Sequence, residues 1–230
     1  MRINADFSQR VVVLPEDYRW TDSPMPGVER MMLDRIGGEV ARATSLVRYA
    51  PNSTFAPHVH GGGEEFFVLE GEFGDERRRY PAGTYVRNPI GTSHSPRVGE
   101  QGCMIFVKLH QFDREDDSSV VIDTRSAEWL PQDAPRFEVM PLHQFRNERV
   151  LLIRWLPDAQ WGEHTHDGGE EIFVIEGSFS DEYGNYPAGT WLRYPDGSRH
   201  SAFTGGEGAF LYLKAGHLPA APQQDAQTWT

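Results

Sequence analysis

The stretch His58-Val59-His60-Gly61-Gly62-Gly63-Glu64, with His94 thirty residues beyond its glutamate, returns 106 residues later as His164-Thr165-His166-Asp167-Gly168-Gly169-Glu170, with His200 at the same distance. Six of the nine histidines lie in these two sets, so imidazole itself is wanted at those positions. In an extended strand, residues two apart face the same way, which lets His58 and His60 offer two rings to one point, and Glu64 keeps that parity. The glycines between allow a sharp turn that swings Glu64 back toward the pair. His94 must arrive from another strand, led in by Pro89-x-Gly91. Three nitrogens and a carboxylate then converge, a donor set that suits Zn, Fe(II), Mn, Ni or Cu, with no thiolate to force a choice. The expected ligands are His58, His60, Glu64 and His94 in one half, and His164, His166, Glu170 and His200 in the other.

The repeat is much wider than its ligands. Aligned without a gap, residues 48–108 match residues 154–214 at 28 of 61 positions. HVHGGGEEFFVLEGEFGDE and YPAGTYVRNPIGTSHS are echoed by HTHDGGEEIFVIEGSFSDE and YPAGTWLRYPDGSRHS. Trp20 and Pro26 recur as Trp129 and Pro135 at an offset of 109, so each half is a whole unit and the 230 residues make a duplicated domain. The expected division is 1–112 for the first unit, 113–218 for the second, and 219–230 for a disordered tail rich in Pro, Ala and Gln. The polar stretch 111–120, QFDREDDSSV, reads as the linker.

Helical periodicity is weak throughout, while short runs rich in Val, Phe, Ile and Tyr are bounded by Gly, Asn or Asp. The chain therefore reads as all-β, built as sandwiches or barrels. VVVLPEDYRW and its counterpart VVIDTRSAEWL each lead in a strand, which can cross to the partner half. Hydrophobic content of 38% and a mean hydropathy of -0.56 describe a water-soluble chain with no membrane span. The opening MRINADFSQR lacks the apolar core of a secretion signal, so a cytoplasmic location is expected. A net charge of -12 argues against nucleic acid or an anionic membrane as partner. Arg77-Arg78-Arg79 reads as an exposed turn tip, and the single Cys103 as a buried, inert side chain. Glu65 and Glu171 have the opposite parity to the ligand carboxylates and should point away from the metal. His110, His143 and His217 read as ordinary histidines.

These residues resemble the paired motifs of the cupin superfamily, Gly-x5-His-x-His-x3-Glu-x6-Gly and Gly-x5-Pro-x-Gly-x2-His-x3-Asn. The match runs through His58, His60, Glu64, Gly71, Gly83, Pro89, Gly91 and His94, and again through His164, His166, Glu170, Gly177, Gly189, Pro195, Gly197 and His200. Asn52 and Asp158 stand for the opening Gly, and Val98 and Thr204 for the closing Asn. Asn and Asp tolerate left-handed backbone, so the fold should survive the first change. The resemblance implies a bicupin of two jelly rolls (double-stranded β-helices), each holding one divalent metal, zinc or iron first and manganese or nickel next. Within the superfamily the phrasing is similar to the ChrR type, which includes zinc-binding anti-sigma factors responding to singlet oxygen. The helical N-terminal module of those factors, with its own His and Cys ligands, is not recognisable, so sigma-factor binding is not expected.

Two functions follow as expectations. One is a ChrR-like sensory or regulatory protein that responds to a small molecule or an oxidant. The alternative is a metal-dependent dioxygenase acting on a β-diketone or a hydroxyacetophenone, with Phe66, Phe106, Phe173 and Tyr212 lining dry pockets. No general base is identifiable. The halves could pair with each other in a pseudo-dimeric monomer, and a homodimer is equally compatible with the sequence.

Overall fold

The computed structural model describes residues 1–131 and 136–219. Pro135 and residues 220–230 of the expected tail lie outside them. Strands account for nearly all regular structure, and the described residues contain one short 3-10 turn, Pro15–Asp17. No helix among the described residues is long and apolar enough to cross a membrane.

Each half builds one large antiparallel sheet. In the first, the order is Arg2–Ile3, Val28–Gly37, Ala41–Tyr49, Arg97–Leu109, Glu64–Gly74, Thr84–Asn88 and finally Val120–Asp123. In the second it is Leu130–Pro131, Phe137–Phe145, Glu148–Trp155, Arg199–Ala215, Glu170–Asp181, Trp191–Tyr194 and finally Val11–Val13. The last strand of each sheet therefore belongs to the other half: Val121 pairs with Val86, and Val12 with Leu192. This is the crossing that the two lead-in segments suggested. A shorter pairing joins each ligand pair to its distant histidine, His58–Val59 against Ser93–His94 in one half and Gln160–Thr165 against Arg199–Ala215 in the other.

The strands are buried on both faces, which explains their nearly unbroken apolar runs. One face of Glu64–Gly74 and Arg97–Leu109 sends Phe66, Val68, Ile105 and Val107 into the N-terminal barrel. Ile172, Val174, Leu211 and Leu213 fill the equivalent places in the C-terminal barrel. The opposite faces meet each other in a third cluster that joins Phe67, Tyr85 and Phe106 to Phe173, Trp191 and Tyr212. Phe106 stacks on Phe173 at 4.9 Å between ring centroids. Phe106, Phe173 and Tyr212 thus belong to the seam between the barrels and line neither barrel interior, a correction to the expected pocket lining. The reason is alternation: each follows or precedes by one a residue that does face inward. Burying an aromatic ring of this kind contributes about 1.5–3 kcal/mol.

Charged groups share the seam. Lys108 pairs with Glu171 across it, and Lys214 with Glu65, all four side chains being almost wholly buried. Arg87 reaches Glu65 at 2.8 Å and also holds Asp116, whose other neighbour is His143 at 2.8 Å. His217 lies 3.5 Å from Glu171. Glu65 and Glu171 do point away from the ligand sets, as expected, and their work is to hold the halves together. The polar segment 111–120 is less free than its composition suggested, because Asp116 is buried and Phe112 lies under the Arg87 guanidinium.

Candidate metal centre

The backbone that carries the ligands is pinned before any side chain is considered. His60 donates its N–H to Thr92 O at 2.9 Å and accepts from Gly91 N–H at 3.0 Å; His166 does the same with Ser198 O and Gly197 N–H, both at 3.0 Å. The turn that returns each glutamate needs positive φ at Gly63 (77°) and at Gly168 and Gly169 (74° and 69°). At the foot of the preceding strand, Asn52 and Asp158 stand at φ 57° and 54°, so they take the left-handed place of the motif's opening glycine.

All eight expected ligands come together in two separate groups, and within each group the donor atoms lie within 4.8 Å of one another. In the N-terminal set, the Nε2 atoms of His94 and His58 are 3.2 Å apart, and Glu64 Oε2 is 3.3 Å from His60 Nε2. In the C-terminal set, the Nε2 atoms of His200 and His164 are again 3.2 Å apart, and Glu170 Oε2 is 3.5 Å from His166 Nδ1. The far sides of the rings are held as well. His58 Nδ1 faces Ala56 O at 3.3 Å, His164 Nδ1 faces Gly162 O at 3.0 Å, and His60 Nδ1 faces Thr92 Oγ1 at 2.9 Å. These contacts leave Nε2 of His58, His60 and His164 for a metal.

Burial works against ionisation of Glu64, but hydrogen bonding and charge from His60, with His94 and Asn88, overcome it and hold its carboxyl below the usual range. Burial lowers the imidazole pKa of His94, and likewise that of His164. Both effects favour the ligating forms, an ionised carboxylate beside neutral rings. His60 Nε2 is buried with only the Glu64 carboxylate beside it, at 3.3 Å, an arrangement that a bound cation would complete. The residues present therefore suit one divalent metal in each half.

Around the C-terminal set lies a tighter second ring of contacts that sequence reasoning missed. Asp181 accepts from Tyr186 Oη at 2.5 Å, from Tyr194 Oη at 2.6 Å and from His200 Nδ1 at 3.2 Å. Burial opposes its ionisation, yet those three bonds and the Tyr183 amide hold it well below the usual carboxylate range. Its N-terminal counterpart Asp75 accepts from Tyr80 Oη at 2.7 Å but stands 3.9 Å from His94 Nδ1. Tyr194, where the other half has Asn88, stacks on His166 with ring centroids 5.2 Å apart. Arg10, from the crossing N-terminal segment, hydrogen-bonds Tyr186. The signal for Asp75 and Asp181 was present, since both sit in the repeated phrases GDE and SDE.

A third group, Asp116, His143 and Glu148, also brings its donors within 4.8 Å. There the acidic charge is already matched by Arg87, which contacts both carboxylates, and by Lys214 at 3.1 Å from Glu148.

In front of the C-terminal set the barrel opens into a cavity of about 330 Å³. Its wall is mostly apolar, with Trp155, Trp161 and Phe179 among its large side chains, and Arg149 also lines it.

Comparison with known proteins places this geometry. No curated protein matches the sequence. Among solved structures, a candidate dioxygenase from Nostoc punctiforme superposes with a TM-score of 0.76 at 16% identity, covering 95% of this chain and 85% of its own. A candidate glyoxylate-induced protein from Pseudomonas aeruginosa gives 0.73 at 18% identity, with 89% and 87% covered. Oxalate decarboxylase from Lactobacillus farciminis, in complex with formate, gives 0.63 at 13% identity, with 91% and 87% covered. At such identities the likeness is one of fold. The model of the ChrR cupin-like domain matches twice, over residues 8–113 and 117–219. With both ligand sets inside those spans, the chain belongs to the ChrR cupin-like family and carries its domain in duplicate.

Proposed function

We propose that the protein is a metal-dependent bicupin of the dioxygenase type, with the C-terminal centre as its catalytic site and the N-terminal centre as a structural one. The observation that carries this reading is the cavity of about 330 Å³ that meets His164, His166, Glu170 and His200. A divalent metal held by these four residues would supply Lewis acidity and a docking point for an oxygen-bearing ligand. The residues around it have separable tasks. Trp155, Trp161 and Phe179 keep the chamber apolar and exclude water. Asp181 takes the Nδ1 proton of His200 as a hydrogen bond, so that Nε2 stays turned to the centre. Gly162 O does the same for His164. Two fold relatives, a candidate dioxygenase and an oxalate decarboxylase, lend support.

A second reading, a sensory protein that reports a small molecule or an oxidant, is favoured by membership of the ChrR cupin-like family. Elemental analysis of protein purified without chelator, followed by oxygen-consumption assays on the iron-loaded form, separates the two. About two equivalents of metal and oxygen uptake with a β-diketone or hydroxyacetophenone, abolished by His166→Ala and retained in His60→Ala, are expected. Two equivalents of zinc with ligand binding and no turnover would establish the sensory reading in its place.

A further inference from the structure

The two barrels differ where a ligand would sit. Arg149, Ala215 and Glu170 form one cross-strand row, Ala215 pairing with Arg149 on one side and Glu170 on the other. With neighbouring strands about 4.8 Å apart, the backbones of Arg149 and Glu170 are roughly 10 Å apart, and only a methyl group stands between them. In the N-terminal barrel the same row reads Ala43, Leu109 and Glu64. Leu109 stands in place of the alanine, and among the described residues no Lys or Arg pairs with Glu64. One row deeper, Ile172 is replaced by Phe66, whose ring packs on Phe73 at 5.1 Å.

The structure assigns the C-terminal cavity to a small organic anion, its apolar body against the aromatic wall and its carboxylate on Arg149. The assignment rests on the metal-centre reading given above. A guanidinium offers a planar fork that matches a carboxylate with two parallel hydrogen bonds. Among the described residues that of Arg149 has no hydrogen-bond or ion-pair partner, which leaves its donors to a ligand. Charge supports the choice. Arg149 shares the cavity lining with two acidic residues, Asp167 and Glu170. A divalent ion among the four ligands turns that small negative balance into a positive one, so the loaded site attracts an anion. Trp155, Trp161, Leu151 and Leu211 give the rest of the ligand an apolar surface.

The test compares cyclohexanecarboxylate with its neutral isostere cyclohexanecarboxamide, titrated by calorimetry into full-length protein whose metal content is measured on the same samples. The carboxylate should bind roughly ten- to a hundredfold more tightly, the range for a hydrogen bond to a charged group. Arg149→Gln should erase that preference while leaving metal content and carboxamide affinity unchanged. Ala215→Leu should block both ligands without lowering the melting temperature, and Leu109→Ala should leave both affinities as they were. Equal affinities, or no binding of either compound, in metal-replete protein would overturn the assignment, as would a preference that survives in Arg149→Gln. A preference that is lost with Arg149→Gln in protein devoid of metal would instead support Arg149 and overturn the metal-centre reading.

Discussion

At the scale of the residue, an imidazole that binds metal needs something on its other nitrogen, and here the two centres part company. His200 has Asp181 at 3.2 Å, whereas the equivalent Asp75 stands 3.9 Å from His94. Asp181→Asn should therefore weaken metal binding at the C-terminal centre by about 10–100-fold, the usual effect of losing such a partner. The N-terminal centre should keep its affinity in the same protein. Competition against a calibrated chelator would read both sites, and equal weakening of the two would sink the idea. The two donor clusters were legible in the sequence because imidazole and carboxylate are metal-binding groups, and the repeat marked them twice. Arg10 was not legible, because it reaches Tyr186 from 176 positions away and nothing local to it announces the contact.

At the scale of the element, strand existence followed from turn signals and β-branched or aromatic runs, but strand order and the facing of several residues did not. In a strand buried on both sides the apolar residues alone do not tell barrel interior from seam; the marks were Lys108, Glu171 and Lys214, which keep the parity of Phe106, Phe173 and Tyr212 and face the seam with them. The exchanged strands were readable as strands because VVV and VVI recur at a constant offset; their destination depends on the meeting of two halves. Val12 pairs with Leu192 at the edge of the C-terminal sheet. Val12→Pro removes a donor from that ladder and should cost roughly 1–3 kcal/mol. The expected result is a lower urea midpoint together with weaker metal retention at His164, His166, Glu170 and His200. An unchanged midpoint would show that this strand is dispensable.

At the scale of the whole molecule, the ionic seam makes cohesion depend on pH. Burial pushes His217 down to about 4, with Lys214 and Lys108 adding to that and Glu171 opposing it. An unfolded histidine titrates near 6.5, so below that value the unfolded chain takes up a proton which the folded one refuses until about pH 4. Stability should therefore be flat above pH 6.5 and fall between 6.5 and 4, by at most about 3 kcal/mol from this group. Urea unfolding at pH 7, 6, 5 and 4.5 would trace the slope, and His217→Gln should flatten it. Neither the seam nor its acid sensitivity was visible in the sequence, where Glu171 read only as pointing away from the metal and His217 as an ordinary histidine. The reciprocal loan of Val11–Val13 and Val120–Asp123 has a further consequence. Two unlinked copies of such a unit could complete each other only by colliding, and would come apart on dilution. Joined in one chain, each lender is tethered to its borrower, and a fixed effective concentration replaces the bulk one. Integrity of both centres then becomes independent of how much protein a cell makes. A duplicated unit freed from that obligation can let its two chambers diverge, Phe66 and Leu109 standing in one where Ile172 and Ala215 stand in the other.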